Sequence, residues 1–463
     1  MTNLSRRVSF LAGLAACLLL TAATAHAQLS GGVDIDLSQK TGSESECAMA
    51  KNPSNPNQLF AFCNNLGGGA GMMAMRSTNG GASWVYPDPS DKTIADGDPG
   101  QGPSACCDPT LAWDTFGNLF ITYIDAGVSN IVTILSTDGG ATFTNLVSFS
   151  GSVDQPTVVA ANTSQPGAPV AVWVLWNQSG NIVARGAPVT GLGAIGAFTA
   201  LQTAPGTGGC SFGDIAIAPS GAVVQVCGPS GGETGGNIIV NIDADGLGGS
   251  GFGAAIVATT TNVGGFDFIP AQNTRSIDSE TGLVFDANPA SPHFGRLYLM
   301  YTDELVQESN NTEIMLRFSD NNGATWSSPP IRVNDDATTR SQFLPKISID
   351  DPTGNIMICW HDCRESATNT AMREYCTAAS PAGASPTFLP NVPIGDGLST
   401  SNNDGFDFGD FSGLDYSGGA GHPIWGDTSN STGNNPDGNA NFDDQTDTVT
   451  GNVPVQVIDF TVE

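Results

Sequence analysis

One turn-rich string recurs three times along this chain, and it restricts the fold more than any other feature. "RSTNGGASW" (Arg76–Trp84), "LSTDGGATF" (Leu135–Phe143) and "RFSDNNGATW" (Arg317–Trp326) each place Ser, Asp or Asn, and Gly ahead of an aromatic residue. Recurring turn-rich strings mark a repeat architecture, and they must be placed before any single residue is read for chemistry. Upstream of each string runs an apolar strand, an Asp/Asn/Gly turn and a second apolar strand. "CCDPTLAWDTFGNLFITYID" (Cys106–Asp125) is the clearest copy: Thr110–Trp113 and Leu119–Tyr123 read as strands around the turn Asp114–Asn118, with Ile131–Leu135 as the third strand. The same two-strand unit recurs at Cys47–Cys63, Asp154–Trp176, Cys210–Cys227, Thr281–Asp303, Gln342–Asp362 and Phe408–Asp427, which makes seven copies. With 58 Gly and no long 3.6-residue period, the chain reads as all-β. Seven four-stranded units arranged radially form a β-propeller; six blades plus an accessory strand pair is the alternative.

Residues 1–27 carry Arg6 and Arg7, an apolar stretch and the small-x-small site Ala25-His26-Ala27, the pattern of a cleaved secretory signal. "SRRVSF" loosely matches a twin-arginine signal and "LAAC" a lipoprotein box, but the apolar run after Cys17 disfavours lipid anchoring. Residues 28–463 are read as one propeller domain with no membrane span. The chain has 45 acidic and 15 basic residues, a formal net charge of −30. Such a surface repels nucleic acid and anionic membrane, so neither is an expected partner.

Cysteine usage suits an oxidising compartment. Cys47 starts a first strand and Cys63 ends the second, and Cys210 and Cys227 hold the same places in another copy, so two equivalent bridges are expected. Cys359, Cys363 and Cys376 cluster in the sixth copy; the expected pair uses Cys376, with Cys363 a candidate partner and one thiol left over. Adjacent Cys106 and Cys107 either close a vicinal ring or each pair elsewhere.

The recurring string resembles the Asp box, or BNR repeat, of the sialidase-like propellers. Ser136, Asp138, Gly140 and Phe143 fit that pattern, with Ser77, Asn79, Gly81, Trp84 and Ser319, Asn321, Gly323, Trp326 as copies carrying Asn in the Asp place. "SPAGASPTF" (Ser380–Phe388) resembles a decayed fourth copy. The resemblance implies a structural staple on the blade rim, away from the central pocket. Physically, Asp, Asn and Ser oxygens accept backbone N–H groups in a tight turn.

A propeller pocket forms where each innermost strand begins. Here those starts carry Glu46, Asp108, Asp154, Asp214, Asp278, Arg340, Gln342 and Asp410. Loops after the second strands bring Asp125, Trp176, Glu304, His361, Asp362, Arg364 and Asp427 to the same face. The candidate binding residues are accordingly Asp108, Asp154, Trp176, Asp214, Asp278 and Asp427. Sialidase chemistry grips a carboxylate with three Arg and uses a Tyr nucleophile. The family's early Arg-Ile-Pro motif is absent, and Arg275, Arg340, Arg364 and Arg373 remain as pocket arginines, with Tyr416 and Tyr123 as nucleophile candidates. A polysaccharide lyase would draw on His361 with Asp362 and Arg364. Arg340, His361, Asp362, Arg364, Asp410 and Tyr416 are thus the catalytic candidates. The segment Asp427–Asp447 offers oxygen ligands for Ca²⁺ without EF-hand spacing, and a solvated loop before a closing strand, "VPVQVIDFTV", is the expected form. No cofactor is required by this reading. It leaves two functions: a monomeric recognition propeller for an extracellular glycan or glycoprotein, favoured by the missing arginine set, or a glycan-active enzyme, either a sialidase-like hydrolase or a lyase.

Overall fold

A computed structural model describes residues 28–67, 69–401, 405–451 and 453. The expected signal (1–27) and the expected closing strand, except Val453, lie outside the described residues.

The chain is all-β and forms a seven-bladed propeller of four-stranded blades. The innermost strands are Glu44–Lys51, Ala105–Trp113, Val153–Gln165, Cys210–Ile217, Gly282–Phe285, Gln342–Asp350 and Gly413–Ser417, numbered here as blades 1 to 7. Each lies against the next, and the seventh lies against the first, so the ring closes around an axis. Every copy found in the sequence is the inner hairpin of one blade. The second strands, such as Leu59–Asn65 and Ala168–Gln178, are buried along nearly their whole length. Neighbouring blades cover both of their faces, which is why they read as continuous apolar runs without alternation.

The last blade is completed from the start of the described chain. Ile35–Asp36 pairs with Asp443–Thr446, and Leu29–Ser30 pairs with Val449–Gly451. The ring is therefore clasped by hydrogen bonds between segments some 400 residues apart in sequence. An additional hairpin, Asp267–Ile269 and Gln272–Ile277, is inserted between blades 4 and 5.

The three recurring turns share one hydrogen-bond pattern. Gly81, Gly140 and Gly323 N–H groups donate to Ser77, Ser136 and Ser319 Oγ at 2.9, 2.9 and 2.8 Å. Oδ1 of Asn79, Asp138 and Asn321 accepts the backbone N–H four residues on at 2.9, 3.0 and 2.9 Å. Each turn leans on the preceding blade: a Cβ at Gly140 would meet the Phe60 ring at 2.5 Å, so glycine is required there. Phe143 is buried edge-on to Phe60, while Trp84 and Trp326 are half-buried.

Four disulfides join Cys47–Cys63, Cys106–Cys107, Cys210–Cys227 and Cys359–Cys376. Cys363, an expected bridge candidate, is instead a buried free thiol. Cys359 and Cys376 face each other directly in the ladder, whereas Cys363 follows the end of its strand. Among the described residues no helix is long and apolar enough to cross a membrane.

Candidate functional site

The inner strands share a distortion at the end where they begin. A residue with positive φ stands there in every blade: Glu46 (50°), Asp108 (57°), Gln155 (35°), Phe212 (37°), Glu280 (40°), Leu344 (47°) and, before blade 7, Gly409 (82°). In five blades a register shift marks the same place. Bulges of this kind re-aim side chains, at about 1–3 kcal/mol for each non-glycine residue held left-handed. Here they turn a ring of side chains toward the axis. Gly409 cannot carry a side chain, since a Cβ would meet Glu46 Cγ at 2.5 Å.

The result is an axial cavity of about 500 Å³ whose lining includes Glu46, Asp108, Asp154, Asp278, Asp410 and Arg275. Five carboxylates face one guanidinium. Arg275 Nε donates to Asp410 Oδ1 at 2.7 Å, and its terminal nitrogen reaches Glu46 Oε1 at 3.1 Å and Asp410 Oδ2. Asn64 joins the next blade by donating to Glu46 Oε2 and accepting the Asp108 N–H at 3.2 Å. Gln155 closes the circuit: its backbone N–H donates to Asp108 Oδ2 at 3.3 Å, and its amide to Asp410 Oδ2 at 3.3 Å. One network thus crosses the axis and ties blades 1, 2, 3 and 7 to the inserted hairpin.

That hairpin is how Arg275 reaches the axis. Thr274 and Arg275 N–H groups donate to Asp407 Oδ2 at 2.8 and 3.1 Å, and Gln272 donates to Gly409 O at 2.7 Å. Arg275 lies over the Phe406 ring at 5.5 Å, and Phe212 and Phe266 complete an aromatic wall.

Burial sets the protonation of the acids. Glu46 is pushed well above the usual carboxylate range by burial, then by Asp410 and Asp108, against the pull of Arg275. Asp108 is raised to about 7 by burial and by Asp154 and Asp410. Asp278 is raised to about 7 by burial, and Asp154 is raised for the same reason. The cavity can therefore present both hydrogen-bond acceptors and carboxylic O–H donors near neutral pH.

Of the sequence candidates, Asp108, Asp154, Asp278, Asp410, Glu46 and Arg275 converge here. Asp214 lies on a neighbouring channel of about 230 Å³ with Glu280 and Lys346, where its carboxylate accepts the Leu283 and Ile215 N–H groups at 2.8 Å. Trp176 is no pocket residue: it is buried and stacked on Phe149 at 5.2 Å. The acids after the second strands cap their own turns instead of pointing inward. Asp125 accepts Ser129 and Asn130 N–H groups, Glu304 those of Glu308 and Asn310, Asp362 that of Arg364, and Asp427 that of Ser429.

The proposed catalytic group in blade 6 is dispersed from the axis. His361 is fully buried, 2.7 Å from Glu374 Oε2. Arg364 pairs with Asp362 and Asp335, and half-buried Arg340 donates to the Ala367 carbonyl. Arg373 pairs with Glu365. Tyr416 is buried beside a groove lined by Lys51 and Asp351, away from the acids, and burial pushes its hydroxyl up to about 12. Tyr123 is buried and donates to the Pro103 carbonyl. Asp427–Asp447 is not a solvated loop throughout: Asp427, Asp443, Asp444 and Asp447 are buried. Among the described residues no group of three or more His, Cys, Asp or Glu side chains is arranged to hold a metal ion.

The left-handed position has a partial signal in the chain itself. Asp108-Pro109, Gln155-Pro156 and Leu344-Pro345 place proline at the bulge, the one interior place in a sheet that tolerates a missing N–H. Arg275 is one of four candidate pocket arginines, but no local pattern singles it out from Arg340, Arg364 and Arg373, because its place depends on contacts with residues 132–135 positions away.

No protein-family model and no curated protein matches the chain. Solved structures do. A mutant α-L-arabinofuranosidase from Fusarium graminearum, in complex with an iminosugar inhibitor, is 10% identical with a TM-score of 0.45, covering 76% of this chain and 98% of that one. The intramolecular trans-sialidase from Ruminococcus gnavus is 11% identical with a TM-score of 0.38, covering 89% and 95%. The fungal lectin from Aleuria aurantia, a six-bladed propeller described with a fucose recognition mode, is 13% identical with a TM-score of 0.42, covering 76% and 96%. At these identities and scores, none of the likenesses says what this pocket holds.

Proposed function

We propose that the protein is a secreted, monomeric propeller whose axial pocket recognises a neutral saccharide on an extracellular glycan or glycoprotein. The observation that carries this reading is the composition of the cavity: five carboxyl groups, one guanidinium already paired to two of them, and an aromatic wall. Carboxylates accept sugar hydroxyls, protonated Asp108 and Asp278 donate to them, and aromatic faces take the apolar C–H side of a pyranose. The same set repels an acidic sugar. Gripping a sialic-acid carboxylate would require free guanidinium groups, and among the described residues Arg275 is the one arginine lining the pocket. The leader-like residues 1–27 and four disulfides support an extracellular or periplasmic setting.

Glu46 and Asp410 favour a second reading, glycoside hydrolysis. Glu46, a buried acid held above the usual carboxylate range, stands beside a second carboxyl group, and glycoside hydrolysis uses such a pair. The test for both is a glycan array of neutral and acidic saccharides, followed by calorimetry and a reducing-end assay on the ligands found. Binding of neutral sugars, lost in Asp154→Asn, with no turnover establishes recognition. Turnover abolished by Glu46→Gln, with binding kept, establishes the hydrolase. Preference for sialosides would overturn the neutral-saccharide reading.

A further inference from the structure

Three of the four disulfides are sealed in the core. Cys47, Cys63, Cys210, Cys227, Cys359 and Cys376 are each no more than 3% exposed. The fourth, Cys106–Cys107, is different: Cys106 is exposed, Cys107 is half-buried, and both line the axial cavity. The residue that follows is Asp108, held left-handed at φ 57° with register shifts on both sides of Cys107. Asp108 in turn takes the Gln155 N–H and gives its own N–H to Asn64. The bridge thus closes a small covalent ring on the backbone that positions one of the pocket's acids.

We propose that Cys106–Cys107 is a thiol–disulfide exchange site at the pocket mouth, open to an external dithiol, and that its reduction releases Asp108 from the axial network. The inference goes beyond the saccharide reading and does not depend on it. A dithiol attacks as its thiolate at the exposed Cys106 sulfur. A mixed disulfide forms, and Cys107 leaves as a thiolate that takes up a proton. The second thiol of the reagent then attacks the mixed disulfide and releases Cys106 as a thiol. The pair gains two electrons and two protons, and the dithiol becomes a disulfide. Once the ring is open, Cys106 and Cys107 regain backbone freedom beside Asp108, whose place in the network is then held by its hydrogen bonds alone. The acids around the mouth select the reagent: they repel an anionic thiol and admit a neutral one.

The test treats the folded protein with dithiothreitol, traps thiols with iodoacetamide, and maps the labels by peptide mass spectrometry. Two labels on Cys106 and Cys107 are expected, with the other three bridges intact and buried Cys363 unlabelled. Glutathione should react about tenfold more slowly, and added salt should narrow that gap. Amide hydrogen exchange reports the coupling without any saccharide: the buried Asp108 N–H, which is bonded to Asn64 Oδ1, should exchange at least about tenfold faster after reduction. The Cys106→Ser/Cys107→Ser double variant should reproduce that increase with no reductant. Equal opening of a core bridge, or no label at 106–107, would overturn the exchange site. Unchanged Asp108 N–H exchange in both the reduced protein and the double variant would overturn the release of Asp108. Failure of every sugar to bind the oxidised protein would remove the saccharide reading and leave this one standing.

Discussion

Two carboxylate clusters in this molecule have nearly the same composition and opposite surroundings. The axial cluster faces an open cavity and contains Arg275. The second lies at the clasp, where Asp36 of the early strand meets Asp443 and Asp444 of blade 7 and Glu44 of blade 1, all four no more than 1% exposed. Ser38 donates to Asp444 and Glu44, and Gln39 N–H donates to Asp36. Asp427 acts on Asp443 as a further acid, and Tyr86 lies beside Asp36 and Asp444. The nearest cation, Lys92, acts on Asp36 while bonding the Ser38 and Gln39 carbonyls. One oxygen each of Asp36, Glu44, Asp443 and Asp444 finds no protein partner. Acids buried in this way are neutralised by protonation: Asp443 is raised to about 9 by burial and by Asp36 and Asp444, Asp444 to about 7 by burial and Asp36, and Glu44 well above its usual range. Carboxylates therefore become a candidate site through an accessible space and a paired cation. Without those, the same residues make a pH-sensitive latch.

The largest expected effect tests that contrast directly. Acids whose folded pKa is raised contribute full stability below their unfolded value, and that contribution is lost as pH rises toward the folded pKa. For Asp444 and Asp443 the loss runs from about pH 4 through about 7 and 9. The melting temperature should fall by about 5 °C or more between pH 5 and pH 9. Asp443→Asn should remove part of that fall, with Asp108 and Asp278 retaining the rest, and an equal fall in the variant would break the comparison. Next in size, Arg275→Met leaves Glu46 and Asp410 facing each other unpaired. It should cost about 2 kcal/mol by denaturant titration and weaken ligand binding about a hundredfold, whereas Lys92→Met, near the clasp, should leave binding unchanged. The smallest is Asp138→Ala in the blade 2 turn. It removes acceptors of the Ala141 and Thr142 N–H groups and should cost about 1 kcal/mol with no change at either cluster.

Legibility in the chain followed the range of the contacts. The turn strings and inner hairpins depend on residues within about twenty positions, and the Cys47–Cys63 and Cys210–Cys227 bridges span 16 and 17. Pattern alone located them. Reading the sixth blade needed the ladder register, which sets Cys359 against Cys376 and strands Cys363 past the strand end. The second-strand acids were placed on the correct face, but local turn N–H groups had first claim on them.

Short-range patterning by itself therefore determined the all-β class, the seven hairpins and the acidic character of the strand starts, because each is written within one blade. Tertiary structure alone decided which acids reach the axis, since that depends on the left-handed residue beginning each inner strand. It also decided that an inserted hairpin, tied to Asp407 and Gly409, would bring Arg275 among them. Finally, it decided that the acids of blade 7 would be sealed at the clasp, because the strand that covers them comes from the other end of the described chain.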